Sequence, residues 1–109
     1  MADATCPLFA QIGGTLVFQS EKFRVIRAHK AGFPALYRVI WAEHVAEFSD
    51  LDLADRTRGM AVVHEVATAL RAQLKPTKIN LATLGNVVAH LHWHVLARFD
   101  WDSHFPAPV

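Results

Sequence analysis

The stretch HLHWHVL, residues 90–96, places a histidine at every second position with an apolar residue after each one. Such alternation is typical of a β-strand whose two faces differ in polarity. In a helix, His90 and His94 would share a face while His92 pointed away, and the neighbouring valines disfavour a helix. The pattern therefore predicts a strand that carries three imidazoles on one face, about 7 Å apart, and an apolar opposite face.

Four more strands and one helix are predicted from the rest of the sequence. A region with helical spacing of apolar residues spans 49–76, where Ser49 or Asp52 suits the N-cap and Pro76 suits the stop. Gly59 is a weak point within it. The predicted strands are TLVFQ (15–19), KFRVIR (22–27), ALYRVIW (35–41), TKINLAT (77–83) and VVAHLHWHVLARF (87–99), and the apolar helix positions are Leu53, Met60, Val63, Ala67, Leu70 and Leu74.

The order of three strands, a long helix and two strands predicts an α+β fold. With short connections inside each group, it favours a mainly antiparallel five-stranded sheet with the helix on one face. The length of 109 residues and a hydrophobic share of 52% predict a single domain over residues 1–109, with its core at about 8–105.

Charge and cysteine content exclude several classes of function. A net charge of +1, without a run of Lys or Arg, disfavours extended nucleic acid as a partner. The single cysteine, Cys6, cannot form an intramolecular disulfide, which favours a reducing compartment. The sequence has no apolar stretch near the roughly 18 residues of a membrane span and no evident signal segment, so we expect a cytoplasmic protein without a membrane partner.

Three histidines on one strand face indicate a functional site, for which two chemistries compete. As metal ligands, two imidazoles of a His-x-His pair can bind zinc or iron, but a third ligand is then needed. The nearest acids, Asp100 and Asp102, follow in the tail, and no partner motif is evident. As a covalent catalyst, a neutral imidazole attacks phosphorus while its neighbours orient it and stabilise phosphate oxygens. The upstream turn at Gly85 offers backbone N–H groups to an anion.

The segment LGNVVAHLHWHVLARF, residues 84–99, resembles the signature of the histidine-triad (HIT) family. The order of elements fits that family from about residue 8 to residue 105. By this resemblance, His92 is the nucleophile that takes up a nucleoside monophosphoryl group, His94 contacts the scissile phosphate and His90 orients the nucleophile. The resemblance also implies substrate or phosphate contacts at Asn80, Gly85, Asn86 and Val87.

The resemblance implies a nucleotidyl hydrolase or transferase acting on dinucleoside polyphosphates, nucleoside phosphoramidates or related adenylated compounds. It further implies a homodimer that needs no metal and no cofactor. Asn86 stands where glutamine is usual and Val87 where Ser or Thr is frequent, so one side-chain hydrogen bond to phosphate is expected to be missing. Some members bind zinc through Cys-x-x-Cys near the start, but here Cys6 is followed by Phe9, so no zinc is expected.

Two alternatives stay open from the residues alone. One is a metal-dependent hydrolase or oxygenase that uses the histidines of residues 90–94 as ligands. The other is a nucleotide-binding module with little turnover. Trp41 and Trp93 are predicted to lie in the core or a dimer interface, and Arg98 to be solvated. No definite role is assigned to the other histidines, which are His29, His44, His64 and His104.

Overall fold

The computed structural model describes residues 14–86 and 89–107 and shows an α+β fold, as the sequence predicts. Five antiparallel strands form one sheet in the order β1-β2-β3-β5-β4. Within these residues, a single α-helix packs on one face, against β3 and β5. The elements are β1 (Thr15–Gln19), β2 (Phe23–Lys30), β3 (Phe33–Trp41), a 3-10 helix (Phe48–Asp50), α1 (Leu53–Leu74), β4 (Lys78–Ala82) and β5 (His92–Arg98).

The hairpin between β2 and β3 is tighter than the sequence predicted. Lys30 pairs with Phe33, so only two residues form the turn. The second of them, Gly32, has φ +85°, a conformation that glycine adopts without the strain of a side chain. The segment interpreted as a break is thus a continuation of both strands.

Helix α1 begins and ends where the sequence signals place it. Asp52 is the N-cap, and its carboxylate accepts a hydrogen bond from the backbone N–H of Asp55 at 2.8 Å. At the other end Lys75 adopts the left-handed conformation with φ 47°, and Pro76 follows. Of the two predicted N-cap candidates, Ser49 and Asp52, the structure uses Asp52, and the predicted stop at Pro76 is confirmed.

The buried face of α1 differs from the predicted apolar stripe. Leu53 is 70% exposed, Met60 40% and Leu74 42%. Leu53 and Leu74 are the first and last residues of this helix of 22 residues, whereas Met60 lies within it. The residues of α1 that are buried against the sheet are Gly59, Val62, Val63 and Leu70.

Trp93 is the centre of the core between α1 and the sheet. It is 4% exposed and packs edge-on against Trp41 and Phe48. A Cβ at Gly59 would lie 3.0 Å from the Trp93 ring, so the glycine allows the helix to approach closely. Both tryptophans are core residues, one of the two placements predicted from the sequence. Their burial fixes which face of β5 points away from the helix.

Strand β5 is shorter than the predicted strand over residues 87–99. It begins at His92, and the described residues before it, Ala89 to Leu91, are not in a strand. Leu91 instead donates to the carbonyl of Val45 at 2.7 Å and accepts from the N–H of Trp41 at 3.1 Å. The first of these bonds is made to the loop after β3, outside the sheet, so the regular ladder ends here and His90 lies outside the strand.

Candidate active site around His92 and His94

His92 and His94 lie on the sheet face opposite to α1. They alternate with Trp93, which points into the helix-side core. Their ring centroids are 4.9 Å apart and the ring planes make an angle of 70°. His94 pairs with Arg38 of β3, and Ala82 of β4 flanks it on the other side. The two imidazoles thus form one cluster at the centre of the sheet.

The ring of His92 is held by a short hydrogen bond to the backbone. Its Nδ1 lies 2.6 Å from the carbonyl oxygen of His90. A carbonyl oxygen only accepts, so Nδ1 carries the proton and Nε2 of the neutral ring keeps its lone pair. Burial lowers the pKa of His92, and the charge of Arg38 lowers that pKa further. His92 as a whole residue is 7% exposed. A neutral imidazole in one fixed tautomer is the form that attacks an electrophile.

His90 contributes its backbone to this arrangement, and its own ring is buried in the protein. The ring is 1% exposed, and its Nε2 donates to the carbonyl of Trp41 at 2.6 Å. Its Nδ1, which must then accept, lies 3.0 Å from Nδ1 of His44. The prediction that three rings share one strand face therefore holds for His92 and His94, whereas His90 precedes the strand. His44, to which the sequence assigned no role, holds the His90 ring.

His94 is neutral at physiological pH. Burial lowers its pKa to about 4, and the charges of His92, Arg38 and Lys30 act in the same direction. Its ring is only half-buried, so it is the more accessible of the two. A neutral His94 donates or accepts a hydrogen bond but brings no charge to the site.

Arg38 is a site residue that the sequence reasoning missed. It lies directly across the sheet from His94 and is half-buried. Its Nε is buried and has no hydrogen-bond partner within residues 14–86 and 89–107. Burial lowers the pKa of the guanidinium. The available signal was that Arg38 is the one charged residue in the otherwise apolar and aromatic stretch 35–41.

Asn80 lies on β4 opposite Leu96, and its side chain is held by Arg98. Nη1 of Arg98 donates to Oδ1 of Asn80 at 3.0 Å, so the Asn80 amide keeps its two N–H donors for another partner. The prediction that Arg98 is solvated is wrong, since this residue is 1% exposed. Its Nε and Nη2 donate to Asp102 at 2.9 Å and 3.0 Å.

The tail of the chain folds back to make this ion pair possible. Asp102 also accepts the backbone N–H groups of Phe99 and His104, and the hydrogen bonds from Arg98 hold the pKa of its carboxyl well below the usual range. The His104 ring stacks on Phe33 with a centroid distance of 4.5 Å. Arg98 and Asp102 pair across a turn that is not helical. Such a turn leaves no periodic signal in a sequence, so this ion pair was not predictable.

The loop after β4 approaches the His92 end of β5. The hydroxyl of Thr83 donates to the carbonyl of His92 at 2.8 Å. Gly85 has φ +77°, which favours glycine and supports the predicted turn. Asn86 is exposed. Val87, the last predicted phosphate contact, lies outside the described residues, as do Cys6 and Phe9.

The donor set around the triad suits hydrogen bonding more than metal coordination. Both ring nitrogens of His90 and Nδ1 of His92 are engaged within the protein. Among the described residues, no three His, Cys, Asp or Glu side chains group as metal ligands. Within the same ranges, no helix has the length and apolar character needed to cross a membrane.

Comparison with known proteins identifies one matching family model and several solved structures with a similar fold. A family model described as HIT domain matches residues 10–101. A histidine triad protein from Bradyrhizobium japonicum superimposes with a TM-score of 0.83 at 28% identity, over 90% of this chain and 73% of that one. A histidine triad protein from Sinorhizobium meliloti gives 0.82 at 24% identity with the same coverage. The NitFhit protein of C. elegans gives 0.72 at 20% identity, over 81% of this chain and 23% of that one. A search of curated proteins gave no match.

Proposed function

Because the chain belongs to the HIT domain family, we propose that it cleaves or transfers nucleotidyl groups through a covalent intermediate on His92. The proposed substrates are dinucleoside polyphosphates or nucleoside phosphoramidates. The observation that carries the proposal is the 2.6 Å hydrogen bond from Nδ1 of His92 to the His90 carbonyl, because it leaves Nε2 unprotonated.

The proposed reaction has two displacements at the α-phosphorus. In the first, the Nε2 lone pair of His92 forms a P–N bond, and the bond to the leaving group breaks with its electron pair on that group. A phosphate leaves as the anion, whereas an amine takes up a proton from solvent as it leaves. In the second, water forms a P–O bond and releases a proton to solvent, while the P–N electron pair returns to Nε2. The products are the nucleoside monophosphate and the leaving group. The His90 carbonyl stabilises the positive charge on the modified ring, because it accepts the Nδ1–H throughout.

The remaining predicted residues are proposed to bind the phosphate. His94 is 4.9 Å from His92 between ring centroids, which suits a hydrogen bond to an oxygen of the same phosphate. The amide of Asn80 is proposed to donate to the substrate, since Arg98 occupies its oxygen. Backbone N–H groups of Gly85, Asn86 and Val87 are proposed to face the phosphate oxygens.

We also propose that two copies form a homodimer through the β4 side of the sheet. β4 is an edge strand, so its outer N–H and C=O groups are open to pairing with a second strand. Large apolar side chains are exposed beside it: Leu81 at 56%, Leu84 at 58% and Met60 at 40%. Light scattering is expected to give twice the chain mass for the wild type and a single chain for Leu81→Lys. A monomeric wild type at micromolar concentration would refute the dimer.

The function is tested by trapping the intermediate. The protein is mixed with an adenylated substrate and quenched in denaturant, and the chain mass is compared with and without substrate. We expect an increase of one AMP moiety, located on His92 by fragmentation, and its absence from His92→Ala. His64→Ala is the matched control, since His64 is an exposed histidine of α1, and it is expected to form the adduct normally.

Each of three other outcomes would indicate a different function for this protein. Tight AMP binding with neither adduct nor turnover would indicate a nucleotide-binding module. An adduct that forms on His94 would show that His94, and not His92, is the nucleophile. Activity that is lost with chelator and restored by a stoichiometric metal would indicate the metal-dependent chemistry instead.

A further inference from the structure

Asn80 lies on the same sheet face as the two site histidines. It pairs with Leu96, which follows His94 by two residues on β5, and directly paired residues share a face. The Cβ of Asn80 is therefore diagonal to that of His94, at about 7 Å. Asn80 is half-buried, so a ligand bound beside His94 lies within reach of its amide.

Arg98 decides which end of the Asn80 amide faces the ligand. Nη1 of Arg98 lies 3.0 Å from Oδ1 of Asn80, and a guanidinium offers only N–H donors. In the opposite rotamer of the amide, two donor groups would face each other. Arg98 follows Leu96 by two residues, on the side of Asn80 that is distant from His94. Turning the oxygen toward Arg98 therefore leaves the NH2 donors on the His94 side, where a phosphate oxygen can accept them.

Asp102 in turn fixes the guanidinium of Arg98. Nε and Nη2 donate to the two carboxylate oxygens at 2.9 Å and 3.0 Å, a two-point contact that sets the plane of the guanidinium. Nη1, at the other end of the group, is then aimed at Asn80. The rings of Phe33 and Phe105 have their centroids 5.3 Å and 6.0 Å from the guanidinium carbon, which adds cation–π contacts.

The tail holds Asp102 in place. The backbone N–H groups of Phe99 and His104 each donate to its carboxylate at 3.1 Å. The hydrogen bonds from Arg98 keep the pKa of this carboxyl well below its usual range, so the group is charged at physiological pH. The side chains of Arg98 and Asp102 are 2% and 1% exposed, so water does not compete for these contacts.

From this chain of contacts we propose that Asp102 is a positioning residue for the substrate: through Arg98 it orients the Asn80 amide and so raises the affinity for a phosphate-bearing ligand. The proposal rests on the contact between Asn80 and substrate in the proposed function. Asp102 is buried and does not touch the ligand itself. An ion pair that only held the tail would leave the contribution of Asn80 to binding unchanged.

The test is a double-mutant cycle on ligand affinity, with AMP as the probe and calorimetry as the readout. The dissociation constant is measured for the wild type, Asp102→Asn, Asn80→Ala and the double variant. Asn80→Ala is expected to weaken AMP about tenfold, because it removes the N–H donors. Asp102→Asn is expected to weaken AMP about fourfold, because Arg98 loses its two-point contact and the Asn80 amide is free to rotate.

The double variant decides whether Asp102 acts through Asn80. Its dissociation constant is expected to lie within about twofold of that of Asn80→Ala alone, because Asp102 has no further effect once the amide is missing. Circular dichroism checks that each variant folds. If Asp102→Asn does not fold, Arg98→Lys takes its place in the cycle with the same expectation, since lysine keeps the charge without the planar fork.

Asp100→Asn is the matched control. Asp100 lies in the same tail, two residues before Asp102, and is exposed. Its substitution removes the same charge from nearly the same place, so it corrects for the weaker long-range repulsion of the anionic ligand. It is expected to leave the affinity for AMP within about twofold of the wild type.

A second readout requires no ligand. In ¹H–¹⁵N spectra of the free protein, the side-chain NH2 signals of Asn80 are assigned by their loss in Asn80→Ala. They are expected to shift in Asp102→Asn and to stay in place in Asp100→Asn, because only the first change releases the guanidinium that bonds to the amide oxygen.

Losses that multiply in the double variant would show that Asp102 acts independently of Asn80 and would overturn the proposal. Unchanged or tighter binding of AMP by Asp102→Asn would overturn it as well. If Asn80→Ala binds AMP like the wild type, the proposal fails together with the Asn80 contact, while an adduct on His92 would still support the proposed function. An absence of adduct and turnover in the wild type would instead refute the proposed function, and the AMP cycle would still decide the role of Asp102.

Discussion

Replacing Arg98 by methionine tests the ion pair that holds the tail to the sheet. The Arg98 side chain is 2% exposed and that of Asp102 is 1% exposed. Methionine keeps an apolar side chain of similar length but removes the guanidinium and all of its N–H donors. The Asp102 carboxylate therefore stays buried without its cation. The substitution also removes the hydrogen bond to Asn80 and the contacts of the guanidinium with the rings of Phe33 and Phe105.

The expected loss is large for a domain of this size. Breaking a buried pair by removing one partner costs about 3–5 kcal/mol, because it leaves a buried charge uncompensated. Folded domains have a free energy of unfolding of about 5–15 kcal/mol in total. At about 4 °C per kcal/mol, the melting temperature of Arg98→Met is expected to fall by about 12–20 °C.

Urea unfolding followed by tryptophan fluorescence measures the change, since the chain has three tryptophans. Lys22→Met is the control, because Lys22 forms ion pairs with Glu43 and Asp55 from a side chain that is 44% exposed. It is expected to cost less than about 1 kcal/mol. The double variant that also carries Asp102→Leu is expected to recover only part of the loss, because it removes the unpaired carboxylate but also the acceptor of the Phe99 and His104 N–H groups. A loss below about 1 kcal/mol for Arg98→Met would refute the buried pair.

Three further results are expected. The acidic limb of the kcat/KM profile has its midpoint below pH 6.5, because burial lowers the pKa of His92 from that value, and a midpoint above pH 6.5 would contradict the tautomer argument. The free energy of unfolding is highest above pH 6.5 and falls toward pH 4, because the unfolded chain takes up a proton at His94 before the folded one does. Solvent at this half-buried ring limits the effect to about 1–2 kcal/mol, and urea titrations at several pH values show a flatter profile for His94→Gln. Gly59→Leu loses about 2 kcal/mol or more in thermal melts, because its side chain meets Trp93, while Ala61→Leu on the exposed helix surface stays within about 0.5 kcal/mol.

Local signals predicted the elements of the fold and their order. The period of two in residues 90–96 identified β5, and Asp52 and Pro76 marked the helix at both ends. The same signals did not predict where β5 begins, because the N–H of Leu91 bonds to the carbonyl of Val45, in a loop far away in sequence. A pattern confined to one segment carries no information about such distant partners.

The sequence predicted those residues of the candidate site that lie on a single strand. The positions of His92 and His94 follow from alternation alone, whereas Arg38 is set beside them by the register between β3 and β5. His44 and Arg98 likewise gain their partners only through the folded chain. Arg38 and His44 meet partners that are distant in sequence, whereas Arg98 and Asp102 are four residues apart and meet through a non-helical turn, which leaves no periodic signal.

The protonation state of His92 is the most direct test of the account. In protein labelled with ¹⁵N at histidine, two-bond ¹H–¹⁵N correlation spectra at pH 7 report which ring nitrogen carries the proton. We expect His92 to be neutral with its proton on Nδ1, since that nitrogen donates to the His90 carbonyl, and His90 to carry its proton on Nε2. A proton on Nε2 of His92, or an imidazolium ring, would leave no lone pair for attack and would contradict the proposed catalyst.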